Sequence, residues 1–158
     1  MKQIITKFFL FLFLFATVNC GYKVINESER NKFSIQEIKT SGDKRINFKI
    51  KNNLLNFSKK KSQNILLIDL NTKKIKNIKE KNIKNEITKY EISLNVDVEF
   101  NLIDSDENYT LNISNTGSYL VVDSYSTTLN NEKKLIDDLI ENISEKILKK
   151  ISLQLNDI

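Results

Sequence analysis

The chain has no histidine, no tryptophan and no proline, and its single cysteine is Cys20. Without histidine there is no Ser-His-Asp or Cys-His triad, and most transition-metal sites lose their commonest ligand. One cysteine cannot close an intramolecular disulfide. The serines have no base beside them in sequence. Carboxylate pairs exist, as at Asp97 and Glu99, but they fall on the wet side of an alternating stretch. That is a solvated strand face and not an acid/base pair. The residues give no enzyme constellation and call for no cofactor.

What is present is concentrated first at the N-terminus. Lys2 and Lys7 lead into Phe8-Phe9-Leu10-Phe11-Leu12-Phe13-Leu14-Phe15-Ala16, followed by Thr17-Val18-Asn19-Cys20-Gly21. The apolar run is about half of the roughly 20 residues a bilayer-spanning helix needs. Basic lead, short apolar run and a processing position read as a secretory signal. A cysteine at the cleavage position resembles a bacterial lipoprotein signal, in which the cysteine becomes the first residue and is acylated. The usual lipobox has Leu three places before the cysteine and a small residue just before it, where this chain has Thr17 and Asn19. Each buried methylene contributes about 0.8 kcal/mol, so one acyl chain holds marginally and two or three hold firmly. Palmitate-type chains on Cys20 are expected to anchor the protein. Gly21 follows in place of an inner-membrane retention Asp, which suggests the periplasmic face of the outer membrane. The expected division is 1–19 signal peptide, 20–32 acylated polar tether and 33–158 a single domain.

Loss of residues 1–19 would leave 139 of 158 residues and remove two of the net +5 charges. A chain of that size can bury about two-thirds of its unfolded surface. Phe33 and Ile35 alternate with Ser34 and Gln36 in a first strand, closed by the turn residues Ser41-Gly42-Asp43. From Lys44 to Phe57 two periods compete. Ile46, Phe48 and Ile50 alternate, yet Ile46, Ile50, Leu54 and Phe57 share a helical face. Length and the cap residue Asp43 favour a helix. A strand follows from Asn64 to Lys79, dense at Ile65-Leu66-Leu67-Ile68 and thinning among lysines, with a polar turn at 80–85. The clearest pattern is Tyr90, Ile92, Leu94, Val96, Val98, Phe100 and Leu102 alternating with polar residues, a strand with one greasy face. Another strand is expected over Tyr109–Ser114, bulged or kinked at Asn115-Thr116-Gly117 and resuming over Ser118–Ser126. Asn130 or Asn131 would cap a last helix, with Glu132 near its positive end and an apolar stripe from Leu135 to Leu155 at helical spacing. The fold class is α+β: a four-stranded, mostly antiparallel sheet with two helices packed on one face, in the order β-α-β-β-β-α.

Asp104-x-Asp106-x-Asn108 has the opening of a calcium loop, but its sixth position is Tyr109 and its twelfth Asn115, so it reads as a hairpin turn. Lysines 59–61, 73, 74, 76, 79, 81, 84 and 89 are opposed locally by Asp69, Glu80 and Glu86. Such a run attracts anionic headgroups or simply keeps a hairpin solvated and unpaired. Export takes the domain away from nucleic acid.

An export signal ending in Cys20-Gly21-Tyr22-Lys23, the β-α-β-β-β-α plan, a long alternating hairpin and a closing amphipathic helix together resemble the LptE family of lipopolysaccharide-assembly lipoproteins. The resemblance implies two helices on a four-stranded sheet that plug the LptD β-barrel, help it assemble and contact lipopolysaccharide in transit to the cell surface. It covers nearly the whole chain and rests on element order. From charge, Lys73, Lys74, Lys76 and Lys79 are the expected lipopolysaccharide contacts. A different reading is a generic envelope lipoprotein adaptor that holds another protein by its sheet edge.

Overall fold

The computed structural model describes residues 33–58, 62, 64–105 and 107–155. Cys20, the signal, the tether, Lys59–Lys61 and Asp106 lie outside the described residues. The elements are β1 (Ser34–Gly42), α1 (Lys44–Phe57), β2 (Ile65–Lys81), β3 (Ile87–Leu102), β4 (Asn108–Leu120) and α2 (Tyr125–Gln154). The four strands form one sheet in the order β1-β2-β3-β4. β1 runs parallel to β2, and the other neighbours are antiparallel. The α+β plan expected from the sequence is the one observed.

Asp43 decides the ambiguous segment after β1. Its carboxylate accepts the N–H groups of Arg45 (3.0 Å) and Ile46 (3.1 Å), two donors that a helix start leaves unpaired. Ile46, Ile50 and Leu54 are then buried at helical spacing, while Phe48, which fits only the strand pattern, is 66% exposed. The turn before it depends on Gly42, whose φ is +87°. A Cβ there would lie 2.0 Å from the Thr72 carbonyl oxygen.

On β3, Ile92, Leu94, Val96, Val98 and Phe100 all point to the helix side and are buried. Leu66, Ile68 and Leu70 of β2 join them in one core with Ile143, Ile147 and Ile151 of α2. Each such side chain contributes roughly 1.5–3 kcal/mol by leaving water. The opposite sheet face carries no helix among the described residues.

Three boundaries differ from expectation. β4 runs from Asn108 to Leu120 with no shift in its pairing to β3, so Asn115-Thr116-Gly117 is not a bulge. Gly117 serves packing: a Cβ there would stand 2.5 Å from Leu135 Cδ1 of α2. α2 begins at Tyr125, capped by Ser124, and not at Asn130 or Asn131. Its first turns are largely exposed, so no apolar stripe marks them. β2 continues to Lys81 and β3 begins at Ile87, which shortens the turn to 82–86. There Asn82 Oδ1 accepts from the N–H groups of Lys84 (2.9 Å) and Glu86 (3.0 Å).

Candidate functional site: a basic hairpin and an open sheet face

The pleat of β2 divides the four candidate lysines. Leu66, Ile68, Leu70 and Thr72 are buried on the helix side, and the same parity puts Lys74 and Lys76 there. Lys73 falls on the open face. A register irregularity between Ile78 and Glu80 follows, and Lys79 pairs with Glu91 at 2.7 Å on that open face.

Lys76 is the most constrained. Its ammonium lies 2.7 Å from Glu132 Oε2 of α2, 4.4 Å from the Tyr90 ring centroid and 5.3 Å from that of Tyr119. Tyr119 Oη donates to the same Glu132 oxygen at 2.7 Å. The Tyr90 and Tyr119 rings stack at 5.7 Å. This cluster ties α2 to β2, β3 and β4. Burial acts to raise the Glu132 carboxyl, but the hydrogen bonds from Lys76 and Tyr119 and the charges of Lys76 and Lys74 outweigh it and hold it below its ordinary value. Burial acts to lower the Lys76 ammonium, and its bonds to Glu132 and Tyr119 reverse that and raise it. Burial, with the bond to Glu132, raises the Tyr119 hydroxyl in spite of the nearby Lys76 charge. The Glu132 expected near the helix dipole therefore does something else: it bonds a lysine and a tyrosine of the sheet.

Lys74 opens onto a shallow cleft of about 350 Å³ beside the N-terminal part of α1, lined also by Arg45, Lys49, Lys133, Glu132 and Asp137. Lys49 is paired with Asp137 across it. Lys73 and Lys74 have no ion-pair partner within bonding distance among the described residues. Beyond them the hairpin tip mixes charge with grease. Ile78 is half exposed and Ile83 fully exposed, beside Lys81, Lys84 and Lys89. Leu120, Val122 and Tyr125 are exposed at and just past the end of β4, where Lys89 pairs with Leu120.

The open face is otherwise lined by small neutral polar groups. Ser93 and Asn95 of β3 lie beside Thr116 and Ser114 of β4, and the Ser93 and Thr116 hydroxyls share a hydrogen bond of 2.9 Å. At the far end the face turns acidic. Asp69, Asp97 and Glu99 line a trough of about 420 Å³ with Lys39, Asn71 and Asn112. Asn112 Nδ2 donates to Asp97 at 2.6 Å. No cluster of three or more His, Cys, Asp or Glu among the described residues is arranged to hold a metal ion. No described helix is long and apolar enough to cross a membrane.

No family model and no curated protein matches the chain. Solved structures do. Rare lipoprotein B from Shewanella oneidensis superposes with a TM-score of 0.59 at 17% identity, over 80% of this chain and 98% of that one. A lipoprotein from Caulobacter crescentus CB15 gives 0.56 at 12% identity, covering 83% of this chain and 95% of the other. Lipoprotein B from Nitrosomonas europaea gives 0.53 at 15%, covering 84% and 90%. The fold is shared with these lipoproteins. At such identities the sharing is of architecture alone.

Proposed function

We propose that this protein is an LptE-like outer-membrane lipoprotein, a non-catalytic plug and assembly partner of an LptD-like β-barrel in lipopolysaccharide transport. The observation that carries the reading is the two-sided sheet. One face is sealed by α1 and α2, and the other is a broad polar surface of Asn, Ser and Thr side chains with charged groups toward its ends, suited to a hydrated barrel lumen. The shared fold of the lipoproteins above supports it. Acyl chains on Cys20 would keep the domain on the periplasmic face of the membrane, beside the barrel. Cells grown on radioactive palmitate should yield labelled protein, and a Cys20→Ser chain should be unlabelled. Label-free wild-type protein would remove the anchor.

Lipopolysaccharide is an anionic amphiphile, and the hairpin offers both halves of its chemistry. Lys73, Lys74, Lys76 and Lys79 are the proposed phosphate contacts, in two groups on opposite faces. Exposed Ile78 and Ile83 offer apolar contact for acyl chains. Lys76 is already committed to Glu132 and Lys79 to Glu91, so Lys73 and Lys74 should carry most of the binding. Lys73→Glu combined with Lys74→Glu should weaken lipopolysaccharide binding about tenfold or more, since each surface charge contact contributes on the order of 1 kcal/mol. The thermal midpoint should barely move. Unchanged affinity would take the hairpin lysines out of the site.

A further inference from the structure

Strands at sheet edges expose unpaired backbone groups, and proteins blunt them with charge, proline, bulges or covering chains. β1 shows several of these devices. Glu37 and Lys39 stand on it, and its register slips between Ile35 and Glu37. From α1, Lys51 Nζ donates to the Ile38 carbonyl (3.0 Å) and Asn47 Nδ2 to the Ser41 carbonyl (2.7 Å). β4, at the other edge, shows such a bond only at its last residue, Leu120. Its 13 residues, Asn-Tyr-Thr-Leu-Asn-Ile-Ser-Asn-Thr-Gly-Ser-Tyr-Leu, contain no charge and no proline, and its register is unbroken.

The direction of its free groups follows from one bond. Val121 N–H donates to the Thr88 carbonyl at 2.9 Å, in register with the strand pair. Odd-numbered residues of β4 therefore turn N–H and C=O toward β3, and even-numbered residues turn theirs outward. Thr110, Asn112, Ser114, Thr116 and Ser118 form that outward row, without backbone partners among the described residues. Leu120, at its end, has its carbonyl taken by Asn131 Nδ2 at 3.3 Å.

A second copy is crowded out where α2 lies along β4. α2 folds back along β4. Thr128 bonds Val122, Glu132 bonds Tyr119, and Leu135 and Leu139 lie over Gly117. Between Thr128 and Leu139 the helix rises about 16 Å, and the strand from Val122 to Gly117 spans about 17 Å, so the two run side by side. Two β4 edges joined in one sheet would lie about 4.8 Å apart. Their overlying helices would be scarcely farther apart, where packed helices need about 8–10 Å.

We propose that the β4 edge accepts a lone, uncharged, extended segment of another polypeptide as a fifth strand, with no helix above it. Uncharged, because β4 offers no counter-charge. The incoming strand would set apolar side chains beside Leu111 and Ile113 on the helix side. Hydroxyl or amide side chains would continue the Thr110, Asn112 and Ser114 surface. The inference needs neither lipopolysaccharide nor a barrel, and stands or falls separately from both.

A labelled synthetic peptide with the sequence of residues 108–120 is a strand without a helix and serves as the probe. Titrated into the full-length chain in detergent, it should bind saturably. Amide exchange at Thr110, Asn112, Ser114, Thr116 and Ser118 should be fast in the free chain and slow at least about tenfold on binding, while the odd-numbered amides stay protected throughout. Ser114→Pro removes one outward N–H at a position where an edge strand tolerates proline, and should weaken the peptide about tenfold or more. Ser114→Lys, which leaves the backbone intact, should do the same if the proline variant folds poorly. No saturable binding would overturn the proposal. So would even-numbered amides already protected in the free chain, or an affinity that neither variant changes.

Discussion

Glu132 accepts hydrogen bonds from Lys76 and Tyr119 at 2.7 Å each, and through it the protonation state of one carboxyl couples α2 to the sheet. Its folded pKa lies below the ordinary glutamate value of 4.5. A depressed carboxyl stabilises the fold fully above its unfolded pKa, and that stabilisation is lost as pH falls through the folded value. Lys76 is raised above 10.5, so its contribution is present below that value and is lost as pH rises through its folded pKa. Both are intact at neutral pH. Glu132→Gln should cost about 1–2 kcal/mol at pH 7. In urea titrations the gap from wild type should shrink as pH falls below 4.5. A gap independent of pH would mean that the carboxylate charge plays no part. The face that each lysine occupies was readable from residue parity: Leu66, Ile68, Leu70 and Thr72 lead directly to Lys74 and Lys76. The Lys76–Glu132 bond was not readable, since the partners stand 56 positions apart and meet only when α2 folds back over β4.

At the scale of elements, local chemistry determined what periodicity left open. Residues 44–57 carry both a strand and a helix pattern, and the cap at Asp43 selects the helix. Asp43→Ala should therefore destabilise the domain by about 1 kcal/mol, read as a lower urea midpoint with an unchanged slope. No shift in the midpoint would show that packing of Ile46, Ile50 and Leu54 holds the helix without its cap. β3 was the most legible element because its alternation is unbroken from Tyr90 to Leu102 and one face is buried. The start of α2 was the least legible. Ser118 to Ser126 carries on a strand-like alternation, and only Ser124, whose hydroxyl accepts from Thr127 N–H, ends it. Gly117 looked like a strand breaker and proved to be a place where helix and sheet come close, a contact between segments far apart in the sequence.

At the scale of the molecule, the sheet separates two environments. Its helix side holds the core, and its open side runs from an acidic trough at Asp69, Asp97 and Glu99 to the lysine-rich tip at 79–89. Small neutral side chains lie between the two charged ends. The order of elements was legible because each strand or helix has its own period. The mixed sheet, with β1 parallel to β2 at one edge and an uncharged β4 at the other, depends on pairings the periods do not encode. The proposed partnership with a barrel is tested by co-purification of the tagged full-length protein after detergent extraction of membranes. A large outer-membrane β-barrel should be recovered with it in a one-to-one ratio and retained through size-exclusion chromatography. Recovery of the domain without a barrel, or with a different partner in fixed ratio, would contradict it.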